Sequence, residues 1–398
     1  MVDYEKMFSE RAKPLQGSAI RETFKVLATP GMISFAGGAP APETFAVKEL
    51  SEIAFDILKN QGVTALQYGI TEGYAPLKEQ VRERLARISS TNDDDELLIT
   101  TGGQQGIALA AQALVNEGDI VVTENPSFIG GLNSYRSFGG KTIGVDMDND
   151  GMDMDKLEEL LKTTKIKLLY TIATFQNPTG ITMSVERRKR LIELAEKYDF
   201  IILEDNPYGD LRFAGDPVPT VKSLDKYGRV IYCGSFSKIM SPGLRIGFVS
   251  APAKIGEKMA VCKQTADVHT PVFTQMLASE FLKRYNIDDY IAKSCELYGK
   301  KCNFMQECIA KYFPDCISTT KPQGGLFIWC SSTVDFDSNE VQKAAIARKV
   351  AFVPGNGLMP DAGAVTSSFR LNYSNSSEEK IEEGIKILGE VLKEYVRR

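Results

Sequence analysis

The chain has 398 residues, 43% of them hydrophobic, and a formal net charge of −5 at neutral pH. This length exceeds what one hydrophobic core usually organises, so we expect two domains. The acidic balance argues against a nucleic-acid-binding surface, and the single histidine, His269, excludes a histidine-rich metal site.

Features that direct a chain to a membrane or to export are missing from the sequence. The N-terminus is charged and lacks the apolar stretch of a secretory signal. No apolar run reaches the roughly 18 residues that a membrane span needs. The seven cysteines form no CxxC pair, and their odd number fits poorly with a disulfide framework. We therefore expect a cytoplasmic protein without membrane or nucleic-acid partners.

Helical and strand patterns alternate from about residue 48 to residue 290. Helical patterns occur at 48–60, 74–87, 104–116 and 184–198. Short apolar runs rich in β-branched residues occur at 97–101, 119–123, 142–145, 167–173, 200–204, 229–233 and 246–250. Strands that alternate with helices predict an α/β fold, with a mostly parallel seven-stranded sheet covered by helices.

The pattern changes after residue 290. A charged helical stretch at 290–312 is followed by short strand patterns, and an amphipathic helix closes the chain at 377–396. The strand patterns lie near 326–330, 350–353 and 368–372. We expect a large domain over 48–289, and a smaller α+β domain built from 1–47 and 290–398.

A glycine-rich turn, ThrThrGlyGlyGlnGlnGly, lies at 100–106 between a predicted strand and a predicted helix. The free amides and positive dipole end of a helix start can bind an anion such as phosphate. Many strand–helix turns carry glycine without binding anything, so this alternative stays open. The turn matches neither the Walker A pattern nor GxGxxG, which argues against nucleotide folds of those types.

Polar residues also follow two further predicted strands. Asn177 precedes Pro178, which favours an extended backbone and presents the amide side chain, although an ordinary Asn-Pro turn is the alternative. Asp205 directly follows the apolar run 200–203. A buried acid there is costly unless a positive group pairs with it, and the alternative is a helix N-cap.

The segment 235–247 brings together two serines, Lys238 and Arg245 between two predicted strands. A lysine removed from water near another cation has a lowered pKa and becomes a competent amine nucleophile. The alternative is a surface lysine on a loop rich in serine and glycine. This spacing favours the nucleophile.

Taken together and in order, these segments resemble the fold-type I enzymes that use pyridoxal 5′-phosphate (PLP), specifically the class I/II aminotransferases. The motifs are AsnProThrGly at 177–180, AspXXTyr at 205–208 and SerXSerLys with ArgXGly at 235–247. The resemblance covers essentially the whole chain. The segments 33–42 and 350–355 resemble the group containing α-aminoadipate and aromatic or kynurenine-type aminotransferases.

The resemblance implies a catalytic role for three residues. Lys238 would hold PLP as a Schiff base and later move a proton on the substrate. Asp205 would pair with the ring nitrogen and keep it protonated. Tyr208, together with Asn177, would hydrogen-bond the 3′-oxygen of the ring.

The resemblance also implies how the rest of the cofactor is held. The phosphate would be bound by the amides around Gly103 and Gln104 and by the side chains of Ser235, Ser237 and Arg245. Phe128 would stack on the ring, where many relatives have tyrosine. Tyr68 would reach the phosphate of a second subunit, which implies a homodimer with shared active sites.

On the substrate side, the resemblance implies that Arg370 binds the α-carboxylate in a bidentate pair, with Asn177 and Gly38 at the same end of the site. Arg21 aligns by spacing with an arginine that can bind a side-chain carboxylate. An exposed arginine in a surface salt bridge is the alternative for this position. The expected reaction is a ping-pong transfer between an amino acid and a 2-oxo acid. Glutamate and 2-oxoglutarate would form one pair, and a 2-aminoadipate, aromatic or branched-chain amino acid would belong to the other.

Two other functions share these motifs. A PLP-dependent β-lyase or other lyase would use the same scaffold, since the bond held perpendicular to the ring is the one that breaks. A non-enzymatic regulator would add a DNA-binding domain to an aminotransferase-like one. Only about 47 residues precede the large domain, and no basic recognition helix occurs among them, which argues against the regulator.

Overall fold

The computed structural model describes residues 2–9, 11–12 and 30–396. The α-helices of this part are α1 (Val47–Leu66), α2 (Ala75–Arg87), α3 (Gly103–Leu114), α4 (Ile129–Ser137), α5 (Met154–Thr163), α6 (Val185–Tyr198), α7 (Val221–Leu224), α8 (Ala253–Ala266), α9 (Val272–Arg284), α10 (Ile287–Tyr312), α11 (Ser338–Ala347) and α12 (Glu378–Val396). Short 3₁₀ helices lie at Tyr4–Met7, Pro42–Thr44, Pro242–Leu244 and Gly355–Leu358. None of the described helices is long and apolar enough to cross a membrane.

The described strands fall into three sheets. They are β1 (Ile33–Ser34), β2 (Asp95–Thr100), β3 (Ile120–Asn125), β4 (Lys141–Asp148), β5 (Gly151–Met152), β6 (Leu168–Thr171), β7 (Ile201–Asn206), β8 (Val230–Ser235), β9 (Gly247–Pro252), β10 (Ile317–Thr319), β11 (Phe327–Ser332), β12 (Val350–Ala351), β13 (Val353–Pro354) and β14 (Phe369–Asn372). Eight form a large sheet, four a smaller one, and β1 pairs with β12.

The large sheet has the strand order β2-β9-β8-β7-β6-β3-β4-β5. Strand β9 is antiparallel to both of its neighbours, and the two-residue β5 is antiparallel to β4. The other neighbouring pairs are parallel. All seven predicted strands are present, and β5 adds an eighth at the edge, so the predicted α/β fold with a mostly parallel sheet is confirmed.

The central strands are largely buried, as expected for parallel strands covered by helices on both faces. Every residue of β6 and of β8 is buried. Because β3, β6, β7 and β8 run in the same direction, their carboxyl ends meet at one edge of the sheet. The register pairs Asp205 of β7 with Cys233 of β8, two residues before Ser235.

The smaller sheet is antiparallel, with the order β10-β11-β14-β13. The prediction of one strand near 350–353 is wrong in one respect, because two short strands lie there, separated at Phe352. The chain there leaves its pairing with β1, as β12, and enters the small sheet, as β13. The amphipathic helix α12 begins at Glu378, one residue from the prediction, and buries Ile381, Ile385 and Leu388. The domain boundaries at residues 47–48 and 289–290 stay a prediction.

Candidate active site

A cavity of about 350 Å³ lies where the carboxyl edge of the large sheet meets the small sheet. Twelve of the fourteen predicted site residues line it. They are Gly38, Gly103, Gln104, Phe128, Asn177, Asp205, Tyr208, Ser235, Ser237, Lys238, Arg245 and Arg370. Within this set, Lys238 is hydrogen-bonded to Gly38, 200 positions away in the chain, and Arg370 to Asn177, 193 positions away. The tertiary fold therefore brings these residues together.

The other two predicted residues are not in this cavity. Tyr68 follows α1, and 81% of its surface is exposed; its ring packs edge-on against His269, with 5.7 Å between ring centres. Arg21 lies outside the described residues. A second cavity of about 480 Å³ is lined by Arg84 and Tyr232 among others, and of the described residues it shares only Ser235 with the first. The smaller cavity is the candidate active site, because the predicted nucleophile and the predicted acid line it.

Lys238 lies in the turn after β8 and lines the cavity, so the alternative of a surface lysine is wrong. Its Nζ donates a hydrogen bond to the carbonyl oxygen of Gly38 at 2.6 Å. Burial, and then the charges of Arg370 and Arg245, lower the pKa of Lys238 to about 8. This amine therefore loses its proton more readily than an ordinary lysine, which makes it a better nucleophile near physiological pH.

Asp205 lies within β7 with only 4% of its surface exposed, and no helix begins there, so the N-cap alternative is wrong. Its Oδ2 accepts a hydrogen bond from the hydroxyl of Tyr170 at 2.8 Å. Its Oδ1 accepts none from the described residues. Burial raises the pKa of Asp205 to about 7 against the effect of that hydrogen bond. A cation placed at Oδ1 would restore the charged form.

Asn177, Tyr208 and Arg370 form a connected group in the cavity wall. Asn177 donates to the Tyr208 hydroxyl at 3.4 Å and accepts from Arg370 Nη1 at 2.8 Å. Arg370 also donates to the carbonyl of Ala36 at 2.7 Å. Its guanidinium lies 4.1 Å from the centre of the Phe327 ring. Burial lowers the pKa of Arg370 to about 10, which still leaves it a cation at neutral pH.

The glycine-rich turn and the serines form a corner suited to an anion. Helix α3 begins at Gly103, and its N-cap residue Gly102 offers no side chain to the first amides. Ser235 Oγ and Ser237 Oγ are hydrogen-bonded at 2.9 Å. Arg245 donates to the carbonyl of Thr101, and a Cβ on Gly102 would overlap its guanidinium. Free amides, two hydroxyls and a guanidinium are the donor set that phosphate prefers.

Three residues in and around this site were not predicted from the sequence. Tyr170 and Phe327 lie in predicted strands, where an aromatic residue is typical of the core. Glu124 lies near the end of β3, and its carboxylate accepts hydrogen bonds from Thr171, Ile172 and Gln176. The signal for Glu124 was present, since it follows an apolar strand run just as Asp205 does.

The arrangement can hold a molecule with a phosphate, a basic ring nitrogen and a carbonyl carbon. Residues 31–388 match the family described as aminotransferase class I and II. The chain is a member of this family. The predicted family, fold type and aminotransferase activity are thereby confirmed.

Relatives of the aminotransferase cover its full length. The aromatic-amino-acid aminotransferase 1 of Thermococcus litoralis is 41% identical over 100% of this chain and 96% of its own. The kynurenine aminotransferase of Pyrococcus horikoshii, solved in complex with PMP, KYN and KYA, has a TM-score of 0.95 at 38% identity, covering 100% of this chain and 99% of that one. The α-aminoadipate aminotransferase of Thermus thermophilus, complexed with N-(5′-phosphopyridoxyl)-L-leucine, has a TM-score of 0.92 at 35% identity, covering 100% of both chains.

Proposed function

We propose that this aminotransferase binds PLP through Lys238 and transfers an amino group between glutamate and 2-oxoglutarate on one side and a second amino acid on the other. The observation that carries the proposal is the position of Lys238. The pKa of its amine is lowered. Lys238 also lines the same cavity as the buried Asp205 and the buried Arg370. When bound, PLP supplies the electron sink that stabilises negative charge at the substrate α-carbon.

The cavity residues fit this cofactor. The amides of the first turn of α3 and the side chains of Ser235, Ser237 and Arg245 would bind the phosphate. The Oδ1 of Asp205, which accepts no hydrogen bond from the described part of the chain, would accept one from the protonated ring nitrogen. Asn177 and Tyr208 would donate to the ring oxygen, and Phe128 would stack on the ring face.

Lys238 has two tasks in this proposal. Its neutral amine would hold the cofactor covalently at the cofactor's carbonyl carbon. As a free amine it would take the proton from the substrate α-carbon and act as a general base. A pKa of about 8 suits this role, because the group can both accept and return a proton at neutral pH.

Arg370 orients the amino acid. Hydrogen bonds to Asn177 and Ala36 hold its guanidinium, which leaves further N–H groups for the α-carboxylate. Because Arg370 and Lys238 line the same cavity, a carboxylate bound by Arg370 would bring the α-carbon into the cavity that holds the lysine. The low exposure of Arg370, 2%, keeps water from this contact and strengthens it.

The second substrate is an aromatic, 2-aminoadipate or branched-chain amino acid. The wall beside Arg370 includes Ala39 and Phe327, which suit an apolar side chain. An acidic side chain needs a cation from another part of the chain, and Arg21 is the proposed source. Relatives named for aromatic amino acids, kynurenine and α-aminoadipate support this range.

The aminotransferase acts as a cytoplasmic homodimer in this proposal. The side chains of Phe55, Leu58, Val63 and Leu66 on α1 are from 47% to 86% exposed, which forms an apolar surface next to Tyr68. Apolar surface of this kind marks a protein contact. A second copy covering it would carry Tyr68 towards the phosphate corner of its partner.

The test is the visible spectrum of the PLP-loaded protein before and after L-glutamate is added without any 2-oxo acid. Loss of the band of lysine-bound PLP, with formation of the pyridoxamine form, is expected. L-phenylalanine, L-2-aminoadipate and L-leucine, tested in the same way, identify the second substrate. A protein without that band contradicts the proposal. Release of pyruvate and ammonia from a β-substituted alanine, without an acceptor, would favour the lyase instead.

A further inference from the structure

The hydroxyl of Tyr170 contacts Asp205, the buried acid that lines the cavity. Tyr170 is completely buried on β6 and does not line the cavity. Strand register explains the contact, because Tyr170 pairs with Leu203, and Leu203 and Asp205 point to the same face of β7. Diagonal neighbours on one face lie within reach of a long side chain.

Because of this contact, the two oxygens of the Asp205 carboxylate have different neighbours. Oδ2 accepts the Tyr170 hydroxyl at 2.8 Å. Oδ1 lies 3.8 Å from the position that a Cβ on Gly103 would take, at the start of α3. One oxygen is thus held by the sheet, and the other is directed to the side where the anion corner begins.

We propose that Tyr170 is a positioning residue for the cofactor, since its hydrogen bond favours the ionised form of Asp205 and turns Oδ1 to the ring nitrogen of PLP. This inference rests on the proposed binding of PLP. A carboxylate that accepts a hydrogen bond is a weaker base. The proton between the ring nitrogen of PLP and Asp205 therefore stays on the ring nitrogen.

The surroundings of Asp205 favour a hydrogen bond in which Tyr170 is the donor and the carboxylate the acceptor. Six titratable groups surround the Asp205 carboxylate: Glu124 on β3, Tyr135 on α4, Tyr170 on β6, Cys233 on β8, Tyr208 and Lys238. Among them, only Tyr170 hydrogen-bonds Asp205 within the described ranges. Burial, and then the charge of Asp205, raise the pKa of Tyr170 well above its ordinary value, so that it remains a donor.

The Tyr170 ring is held in place by α4. A Cβ on Gly131 would lie 2.8 Å from a ring carbon of Tyr170, so a glycine is needed there for the ring to fit. The Tyr135 ring packs edge-on against it, with 5.7 Å between centres. Tyr135 is equally buried, and its hydroxyl makes no hydrogen bond among the described residues. Tyr135 is therefore a matched control, a neighbouring buried tyrosine that lacks the contact with Asp205.

The experiment compares Tyr170→Phe with Tyr135→Phe in the PLP-loaded protein. The dissociation constant of PLP is measured by absorbance titration, and the protonation of the ring nitrogen by NMR of ¹⁵N-labelled PLP. For Tyr170→Phe we expect about ten-fold weaker PLP binding, because a hydrogen bond to a charged group is lost, and a ring nitrogen shifted towards its unprotonated form. Tyr135→Phe is expected to change PLP binding less than about two-fold. Equal effects of the two variants would overturn the inference.

A double variant separates this inference from the proposed role of Asp205. In an Asp205→Asn background there is no carboxylate for Tyr170 to orient, so Tyr170→Phe should change neither readout further. If Tyr170→Phe weakens PLP binding as strongly in that background as alone, the positioning role is wrong. If Asp205→Asn itself leaves PLP binding and the ring nitrogen unchanged, the proposed role of Asp205 fails instead.

Discussion

The buried charge of Asp205 lowers the unfolding free energy of the cofactor-free protein, and binding of the cofactor can offset this loss. Asp205 is 4% exposed, and its carboxyl accepts one hydrogen bond from the described residues. Burial raises its pKa from 3.8 to about 7. Between these values the folded protein binds a proton that the unfolded chain does not, so the unfolding free energy falls as pH rises through this window. Above pH 7 the full cost of the buried charge is present.

An Asp205→Asn variant should therefore be more stable than the wild type when both are free of cofactor at pH 8. The gain is expected to be up to about 4 kcal/mol, from a shift of roughly three pKa units. It should disappear towards pH 4, where the wild-type carboxyl is protonated in the folded state. Urea unfolding of the cofactor-free proteins at the two pH values measures it. PLP binding by the variant should be weaker, and an unchanged affinity would contradict the role proposed for Asp205.

The buried Lys238 changes the unfolding free energy with pH in the opposite direction. Its folded pKa of about 8 lies below the ordinary 10.5, so between these values the unfolded chain binds the extra proton. The unfolding free energy then rises with pH across that window, and the cost of the buried lysine is present below it.

A Lys238→Met variant without cofactor should accordingly be more stable than the wild type at pH 7, by up to about 3 kcal/mol. The difference is expected to shrink as the pH approaches 10.5, the ordinary pKa of the lysine. Thermal unfolding over that pH range checks it, and a difference that does not depend on pH would show that packing rather than charge is responsible. The variant should also lose transamination.

Among the elements, the start of α3 is constrained both by its backbone conformation and by the side chains packed against it. Gly102 has a φ of +76°, a left-handed conformation, and Arg245 packs where its Cβ would be. Beneath the turn, Lys263 is fully buried and donates to Asp267 and Gln105. Asp267 in turn accepts from Thr101 at 2.8 Å. This network fixes the turn before any anion binds.

A Gly102→Ala variant should lose PLP affinity as well as folding stability, because the new Cβ strains the backbone and displaces Arg245. We expect about 1 to 3 kcal/mol of destabilisation from the strain. Gly118→Ala is the matched control, since Gly118 has a φ of +84° and open space around its Cβ position. It should cost stability alone. Titration with PLP and with pyridoxal tests the phosphate contact, because only PLP binding should weaken in Gly102→Ala.

On the scale of the complete chain, the exposed surface of α1 and Tyr68 bear on assembly. Val63 and Leu66 are 86% and 77% exposed, values unusual for neighbouring large apolar side chains. Tyr68 is exposed and does not line the cavity of its own chain. Both observations are explained if a second copy packs against this surface.

A Val63→Glu variant should be monomeric and should lose PLP affinity and activity, because a buried unpaired charge opposes the contact. Tyr227→Glu, at an exposed tyrosine away from α1, is the control and should leave the assembly unchanged. Size-exclusion chromatography with light scattering gives the mass of each. A wild-type monomer with full activity would contradict the proposed dimer.

The residues alone were enough to predict the strands of the large sheet, its mostly parallel arrangement and the segments that carry the site. Central parallel strands need short continuous apolar runs, and polar residues such as Asp205 mark where those runs end. How these segments meet follows instead from the three-dimensional fold. The break at Phe352, the Tyr170 contact with Asp205 and the ring of Phe327 under Arg370 depend on strand register and on packing between distant segments. A local pattern does not encode such contacts, so Tyr170 and Phe327 were indistinguishable in the sequence from ordinary core residues.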